Sequence, residues 1–323
     1  MSQRIFFDTN LGDSALRLLR EGAAPHEIIL PQRPAESVLA KGPADPAFAT
    51  VDIAFGQPDV TAVLQSDKLR WMHLTSAGFT RYDTPEFRAA AKERGLIVTN
   101  SSGVYAQPCA EHVVAFMFAQ ARQLPAGLGA ICASGTPEWN HLRSTSRSLR
   151  HQRVVILGFG SIARIVVDLL RPLEVRLVAM RRKSRGDEGV PVISAEQLPA
   201  ALGEADHVIN ILPENADSFH FFSTERFASM KPGAIFYNIG RGPTVDQDAL
   251  ASALHSGHLG AAWLDVTDPE PLLAEHPLRA APNCFITPHT AGGHLNESET
   301  LVRHFLENLH RFEAGTTLVD RIM

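Results

Sequence analysis

The sequence predicts an α/β protein: a Rossmann-type doubly wound parallel sheet, accompanied by a smaller α/β unit. Two observations predict it. From Arg153 onward, apolar runs alternate with helix-compatible segments, the pattern of a parallel sheet with helices on both faces. The first of those runs, Val154-Val155-Ile156-Leu157, meets Gly158-Phe159-Gly160-Ser161-Ile162-Ala163, which reads as a strand, a tight turn and a helix start.

The elements follow in order. Residues 4–7 form a short strand and 14–20 a helix. Residues 51–55 and 71–74 are further strands, 85–94 a helix stopped by Gly95, and 96–99 another strand. Residues 107–123 read as a long helix, apolar nearly all round and therefore buried. Residues 126–147 read as irregular, since they carry Gly127, Gly129, Gly135 and Pro137. Strands then fall at 153–158, 175–180, 207–212, 234–239, 260–266 and 284–287. Helices fall at 162–170, 195–202, 224–230, 247–255 and 297–312, with Asp246 as an N-cap.

The glycine turn predicts a dinucleotide. Gly158 permits the turn and Gly160 lets the backbone approach a pyrophosphate, whose charge the helix N-terminus holds. Ala163 stands where a third glycine is common, in a role of close helix–strand packing. An NAD site usually ends the second strand, about 20 residues on, with an acid for the ribose 2′-hydroxyl. Here Arg181-Arg182-Lys183 stand there instead. Three cations with no carboxylate suit a 2′-phosphate, so NADP(H) is expected in preference to NAD(H).

Composition bounds the rest. The chain has 323 residues, 45% hydrophobic and 20% charged, enough for two domains of an ordinary globular protein. A net charge of −5 implies no affinity for nucleic acid or acidic membrane. No signal peptide and no membrane-spanning run is evident. Cys109, Cys132 and Cys284 form no CxxC pair, so neither zinc nor a disulfide framework is expected, and a reducing cytoplasm is. Among the histidines, His112 included, no HExxH spacing occurs.

Three strand ends carry reactive side chains: Asn238-Ile239-Gly240-Arg241-Gly242-Pro243, Leu264-Asp265-Val266-Thr267-Asp268-Pro269-Glu270-Pro271, and Thr287-Pro288-His289-Thr290-Ala291-Gly292-Gly293. Ligands of such sheets bind beyond the carboxyl ends of the strands. With Met230-Lys231-Pro232-Gly233-Ala234, these segments resemble the signature motifs of the D-isomer-specific 2-hydroxyacid dehydrogenases. The likeness runs in order from about Ala106 to Gly293. It is looser before that, resting on Thr75-Ser76-Ala77-Gly78 and Asn100-Ser101-Ser102-Gly103.

The resemblance implies a glyoxylate/hydroxypyruvate reductase-like enzyme converting a small 2-oxo acid to the D-2-hydroxy acid. It implies a dinucleotide-binding domain over 104–292 and a flavodoxin-like substrate domain from 1–103 and 293–323. It implies Arg241, Glu270 and His289 as catalytic residues. The roles are chemically coherent. Arg241 can pair with a carboxylate and polarise the neighbouring carbonyl, and His289 can exchange a proton with that oxygen. Glu270 beside the imidazole favours its protonated form. The resemblance further places Ser161 and Ile162 on the pyrophosphate, and Pro213, Ile239 and Gly240 along the cofactor cleft. Asp265 falls to the carboxamide, and the N–H groups of Ala77 and Gly78 to the substrate carboxylate. Gln57, Phe79 and Tyr105 are candidates for sizing the substrate pocket. Trp139 reads either as an arm residue reaching a neighbouring subunit, as in related reductases, or as a packed aromatic. A homodimer is the family's usual state. The alternative to an enzyme is a dinucleotide-sensing co-repressor of the same family, which can retain all three residues.

Overall fold

Strands such as Ile53–Gly56 and Trp71–Leu74 are buried at every position, as strands covered on both faces must be. They assemble into two wholly parallel sheets. The computed structural model describes residues 2–35 and 37–323. The chain divides into two units, Met1–Tyr105 with Gly293–Met323, and Ala106–Gly292.

The first unit contains β1 (Arg4–Phe7), α1 (Asp13–Gly22), β2 (Glu27–Ile29), β3 (Ile53–Gly56), α2 (Val60–Gln65), β4 (Trp71–Leu74), α3 (Pro85–Arg94) and β5 (Ile97–Thr99). Its strand order is β2-β1-β3-β4-β5, the flavodoxin-like arrangement. The helix Glu297–Glu313 returns to this unit, stacking Phe305 on Phe55 and Trp71 at 4.4 and 5.1 Å. Helix α4 (Ser102–Ala121) contains the boundary.

The second unit continues with α5 (Leu124–Gly129), α6 (Pro137–Thr145), β6 (Arg153–Leu157), α7 (Ser161–Leu170), β7 (Arg176–Met180), β8 (Val192–Ile193), α8 (Leu198–Glu204) and β9 (His207–Asn210). Then come α9 (Thr224–Ala228), β10 (Ile235–Asn238), α10 (Gln247–His255), β11 (Ala261–Leu264) and β12 (Cys284–Ile286). The order β12-β11-β10-β9-β6-β7-β8 reverses direction between β6 and β9, the switch point of a Rossmann sheet. Asp246 caps α10 by accepting the Ala249 N–H at 3.0 Å, as expected.

Three expectations need correction. Residues 126–147 are not irregular, because α5 and α6 lie in or across them. Pro125 and Pro137 sit in the first turns, where a missing N–H costs nothing, and Thr136 caps Trp139. Helix α4 starts at Ser102 rather than 107, its first N–H capped by Asn100 Oδ1 at 3.2 Å. The short elements β2, β8 and α2 went unread.

Candidate active site

The second unit presents the ends of β10, β11 and β12 side by side. Arg241 follows β10. Its neighbour Gly242 packs so tightly on the Thr267 carbonyl that any Cβ would collide with it, which draws the β10 and β11 ends together. Arg241 Nη1 donates to its own neighbour's carbonyl, Gly240 O, at 2.7 Å. Its charge reaches the carboxyl of Glu270.

His289 follows β12 in a left-handed backbone conformation, φ 52°, which non-glycine residues adopt only when the surroundings hold them there. Its N–H is anchored on Asp265 O at 2.8 Å. Its Nδ1 lies 2.8 Å from Glu270 Oε2, and Glu270 Oε1 accepts the Thr267 N–H at 3.1 Å. Burial pushes the Glu270 carboxyl up, but the hydrogen bond and charge of His289, with Thr267 N–H and Arg241, outweigh it. Its pKa therefore lies below the ordinary glutamate value. His289 Nε2 has no partner among the described residues. A cavity of about 330 Å³ adjoins the pair, lined by Thr267, Glu270, Leu272, Arg279, Thr287 and His289 among others.

Asp265 holds this loop in place. Its carboxylate, 2% exposed, accepts the Thr287 hydroxyl at 2.6 Å and the N–H groups of Thr290 and Ala291 at 2.8 and 2.9 Å. Sequence reading gave it to the carboxamide alone. The turn-anchoring role is the one these three bonds fill, and one acceptor position on Oδ2 is left over. His112, passed over in the sequence, meets Phe116 edge to face at 4.3 Å, with Nε2 3.7 Å from Asp265 Oδ1. Burial lowers the His112 pKa, against the opposing charge of Asp265. Burial and then the Asp265 charge, against the opposing charge of Arg241, push the Cys109 thiol up to about 12.

The glycine turn fits a pyrophosphate. Gly158, at φ 91°, lies against β9's continuation, where a Cβ would meet Ile211 O at 2.8 Å. A Cβ on Gly160 would meet nothing within 4 Å, so open space faces this backbone. Helix α7 has no side-chain cap, which leaves the first-turn N–H groups at Ser161 and Ile162 free for an anion. Gly240 approaches Leu212 O, which precedes Pro213, and Ile239 is buried beside it.

The basic stretch after β7 differs from its reading. Arg181 is not free of carboxylates: its Nη1 donates to Glu188 Oε1 at 2.9 Å. Arg182 meets Asp217 at 3.1 Å, with both side chains more than three-quarters exposed, a pair of little strength. Trp139, on α6, is half-buried beneath the Arg143 guanidinium, 4.6 Å from the ring centroid.

In the first unit, turn 75–78 is held by its carbonyls. Thr75 O accepts Tyr105 Oη at 2.8 Å, Ser76 O the Ser101 N–H at 3.1 Å, Ala77 O the Asn100 amide at 2.7 Å and Gly78 O the Ser76 hydroxyl at 2.6 Å. Gln57 braces it from below, donating its amide to Thr75 Oγ1 and Ser76 Oγ at 3.2 and 2.8 Å. The N–H groups of Ala77 and Gly78 have no acceptor among the described residues. Of the three pocket-sizing candidates, Gln57 and Tyr105 are thus committed to the turn, while Phe79 packs on the core.

Among the described residues, no group of three or more His, Cys, Asp or Glu side chains could hold a metal ion, and no helix is long and apolar enough to cross a membrane.

Known proteins share this framework. A family model described as D-isomer specific 2-hydroxyacid dehydrogenase, NAD binding domain, matches residues 114–291. A glyoxylate/hydroxypyruvate reductase B of Escherichia fergusonii is 31% identical over 254 residues, 75% of either chain. A glyoxylate reductase/hydroxypyruvate reductase of Mus musculus is 35% identical over 201 residues, 61% of either chain. A D-isomer specific 2-hydroxyacid dehydrogenase family protein from Aeromonas salmonicida has a crystal structure that superposes with a TM-score of 0.77. It is 25% identical, covering 100% of this chain and 99% of that one.

Proposed function

The chain belongs to the D-isomer specific 2-hydroxyacid dehydrogenase family, and on that premise we propose that it reduces small 2-oxo acids of the glyoxylate or hydroxypyruvate kind, with NADPH preferred to NADH. It is an oxidoreductase with a nicotinamide dinucleotide cofactor. The observation that carries the substrate reading is the His289–Glu270 pair, whose free Nε2 stands at the strand ends that also bear Arg241.

The reduced nicotinamide, when bound, supplies the hydride. Everything else falls to side chains. Arg241 takes the substrate carboxylate through two N–H bonds and polarises the keto oxygen. His289 Nε2 gives that oxygen its proton as C2 gains the hydride, so the carbonyl becomes the alcohol of the D-2-hydroxy acid and the ring becomes neutral. In reverse the ring takes the proton back. Glu270 holds Nδ1–H and stabilises the imidazolium that precedes transfer. The N–H groups of Ala77 and Gly78 are assigned to the carboxylate.

Gly158, Gly160, Ser161 and Ile162 are assigned to the pyrophosphate, and Pro213, Ile239 and Gly240 to the nicotinamide ribose. The spare Oδ2 position of Asp265 suits the carboxamide N–H. Arg181 and Arg182 are assigned to the 2′-phosphate. A homodimer is the state the family resemblance implies, and Leu128 and Ile131, 87% and 101% exposed at and just after α5, are apolar side chains that a second copy could cover. Three unpaired cysteines support a reducing compartment such as cytoplasm.

A panel of 2-oxo acids, each with NADPH and NADH, tests the reading through absorbance of the reduced nicotinamide. Turnover of glyoxylate or hydroxypyruvate, faster with NADPH at low cofactor, is expected. Binding of dinucleotide without turnover of any acid would favour the sensor alternative instead.

A further inference from the structure

Four donors converge on the Glu188 carboxylate just beyond β7. Oε1 accepts Arg181 Nη1 at 2.9 Å and the Arg185 N–H at 2.7 Å. Oε2 accepts the Ser184 hydroxyl and the Gly186 N–H, both at 3.0 Å. A carboxylate has about four acceptor positions, and all are taken. Glu188 therefore has none to offer a ribose 2′-hydroxyl, and it does not replace the acid of an NAD site.

Arg181 is in the opposite condition. Its side chain is only 16% exposed, yet one of its N–H groups is bonded and the rest have no partner among the described residues. Guanidinium presents five N–H donors in a rigid plane. Fixing one edge of that plane on a buried anion orients the other edges, and it does so at the strand end where the adenosine ribose of a dinucleotide lies. The Arg185 N–H first, then the Ser184 hydroxyl, Glu188's own N–H and Arg181, outweigh burial and push the carboxyl's pKa down to about 2.

We propose that Glu188 is a positioning residue for cofactor selection: it sets Arg181 so that the remaining N–H groups meet the 2′-phosphate of NADP(H), without touching the cofactor itself. The proposal rests on the NADPH preference stated above.

The test is equilibrium binding of NADPH and NADH to the full chain and to Glu188→Gln and Arg181→Lys. Wild type binds NADPH more tightly. Each variant weakens NADPH about tenfold while NADH stays within about twofold, since only the phosphate senses the lost fork. Arg181→Lys keeps Glu188 in place and guards against a loop that simply fails to form in Glu188→Gln. Equal loss of both cofactors in Glu188→Gln, or NADPH bound as tightly or more tightly than by wild type, overturns the proposal. A wild type that prefers NADH overturns the cofactor reading itself, and is recognised before any variant is made.

Discussion

His289 and Glu270 are joined through Nδ1 and Oε2 at 2.8 Å, so the ring's other nitrogen is the one left for a ligand. Glu270→Gln keeps an acceptor for Nδ1–H but removes the charge. Turnover is expected to fall about ten- to a hundredfold, since the imidazolium that gives up the proton has lost its counter-charge. The carboxylate's lowered pKa sets the acid side: the pair persists to lower pH than an ordinary glutamate would allow. His289→Ala should cost about 10²- to 10⁴-fold in kcat. A pH–rate profile of Glu270→Gln superposable on wild type would sink the pairing role.

Arg241→Ala removes the guanidinium whose charge reaches Glu270. Carboxylate capture and carbonyl polarisation should fail together. KM for the 2-oxo acid is expected to rise and kcat to fall, with kcat/KM down about a thousandfold. NADPH binding should be little changed. A variant with lowered kcat but unaltered KM would mean that Arg241 does not hold the substrate.

Asp265→Asn replaces an acceptor by a donor inside a buried set of three bonds. At least one of the Thr290 and Ala291 N–H groups is left facing an amide, which costs about 1–3 kcal/mol. The strained backbone at His289 loses its restraint, so turnover should drop although His289 and Glu270 are intact. Hydrogen exchange at 287–291 should quicken selectively. Unchanged protection there, with unchanged rate, would show that the anchor is dispensable.

What the sequence disclosed and what it hid have physical reasons. Both sheets were legible because their strands are continuous apolar runs closed by Gly, Pro or polar residues, as at Val154 to Gly158. Arg241, Glu270 and His289 were legible as candidates because the segments that follow β10, β11 and β12 carry them and resemble the family's motifs. Helices α5 and α6 were hidden because Pro125 and Pro137 mark a loop and a helix start alike. Strands β2 and β8 are three and two residues long, too short for any period to register. The partner of Arg181 was hidden because Glu188 returns to it across a loop that no local pattern predicts. The loop-holding work of Asp265 was hidden because two of its three partners are backbone N–H groups.

Leu128→Asp with Ile131→Asp places two charges on side chains that are 87% and 101% exposed. A lone protomer would tolerate them, since surface substitutions shift stability by only about 0.5 kcal/mol. A dimer that buries this surface would not. Light scattering is expected to report twice 35.2 kDa for wild type and the single-chain mass for the variant. A wild type of single-chain mass, fully active, would remove the dimer from the proposal.

Asp8 gives the first unit a pH dependence of its own. Its carboxyl sits against Gly56 and Gly42, where no Cβ would fit, and accepts the Gln57 N–H at 3.0 and 3.1 Å and the Thr9 hydroxyl at 3.0 Å. Burial is the largest influence and raises its pKa from 3.8 to about 6, against the opposing pull of those bonds and of Arg81. The folded chain therefore keeps this proton over a range where the unfolded chain has lost it. Stability falls as pH rises from about 4 to about 6 and is level above, the difference amounting to about 3 kcal/mol from this group. Asp8→Asn cannot ionise, yet its side-chain oxygen can still accept the Gln57 N–H. Its unfolding free energy, measured by denaturant from pH 4.5 to 7.5 (about the range in question), should lack that decline. Because Gln57 is the residue that braces turn 75–78, Asp8→Gly should also raise KM for the 2-oxo acid, through the turn rather than through contact. Parallel stability curves for wild type and Asp8→Asn would mean that Asp8 is ionised throughout and that its burial is compensated in full.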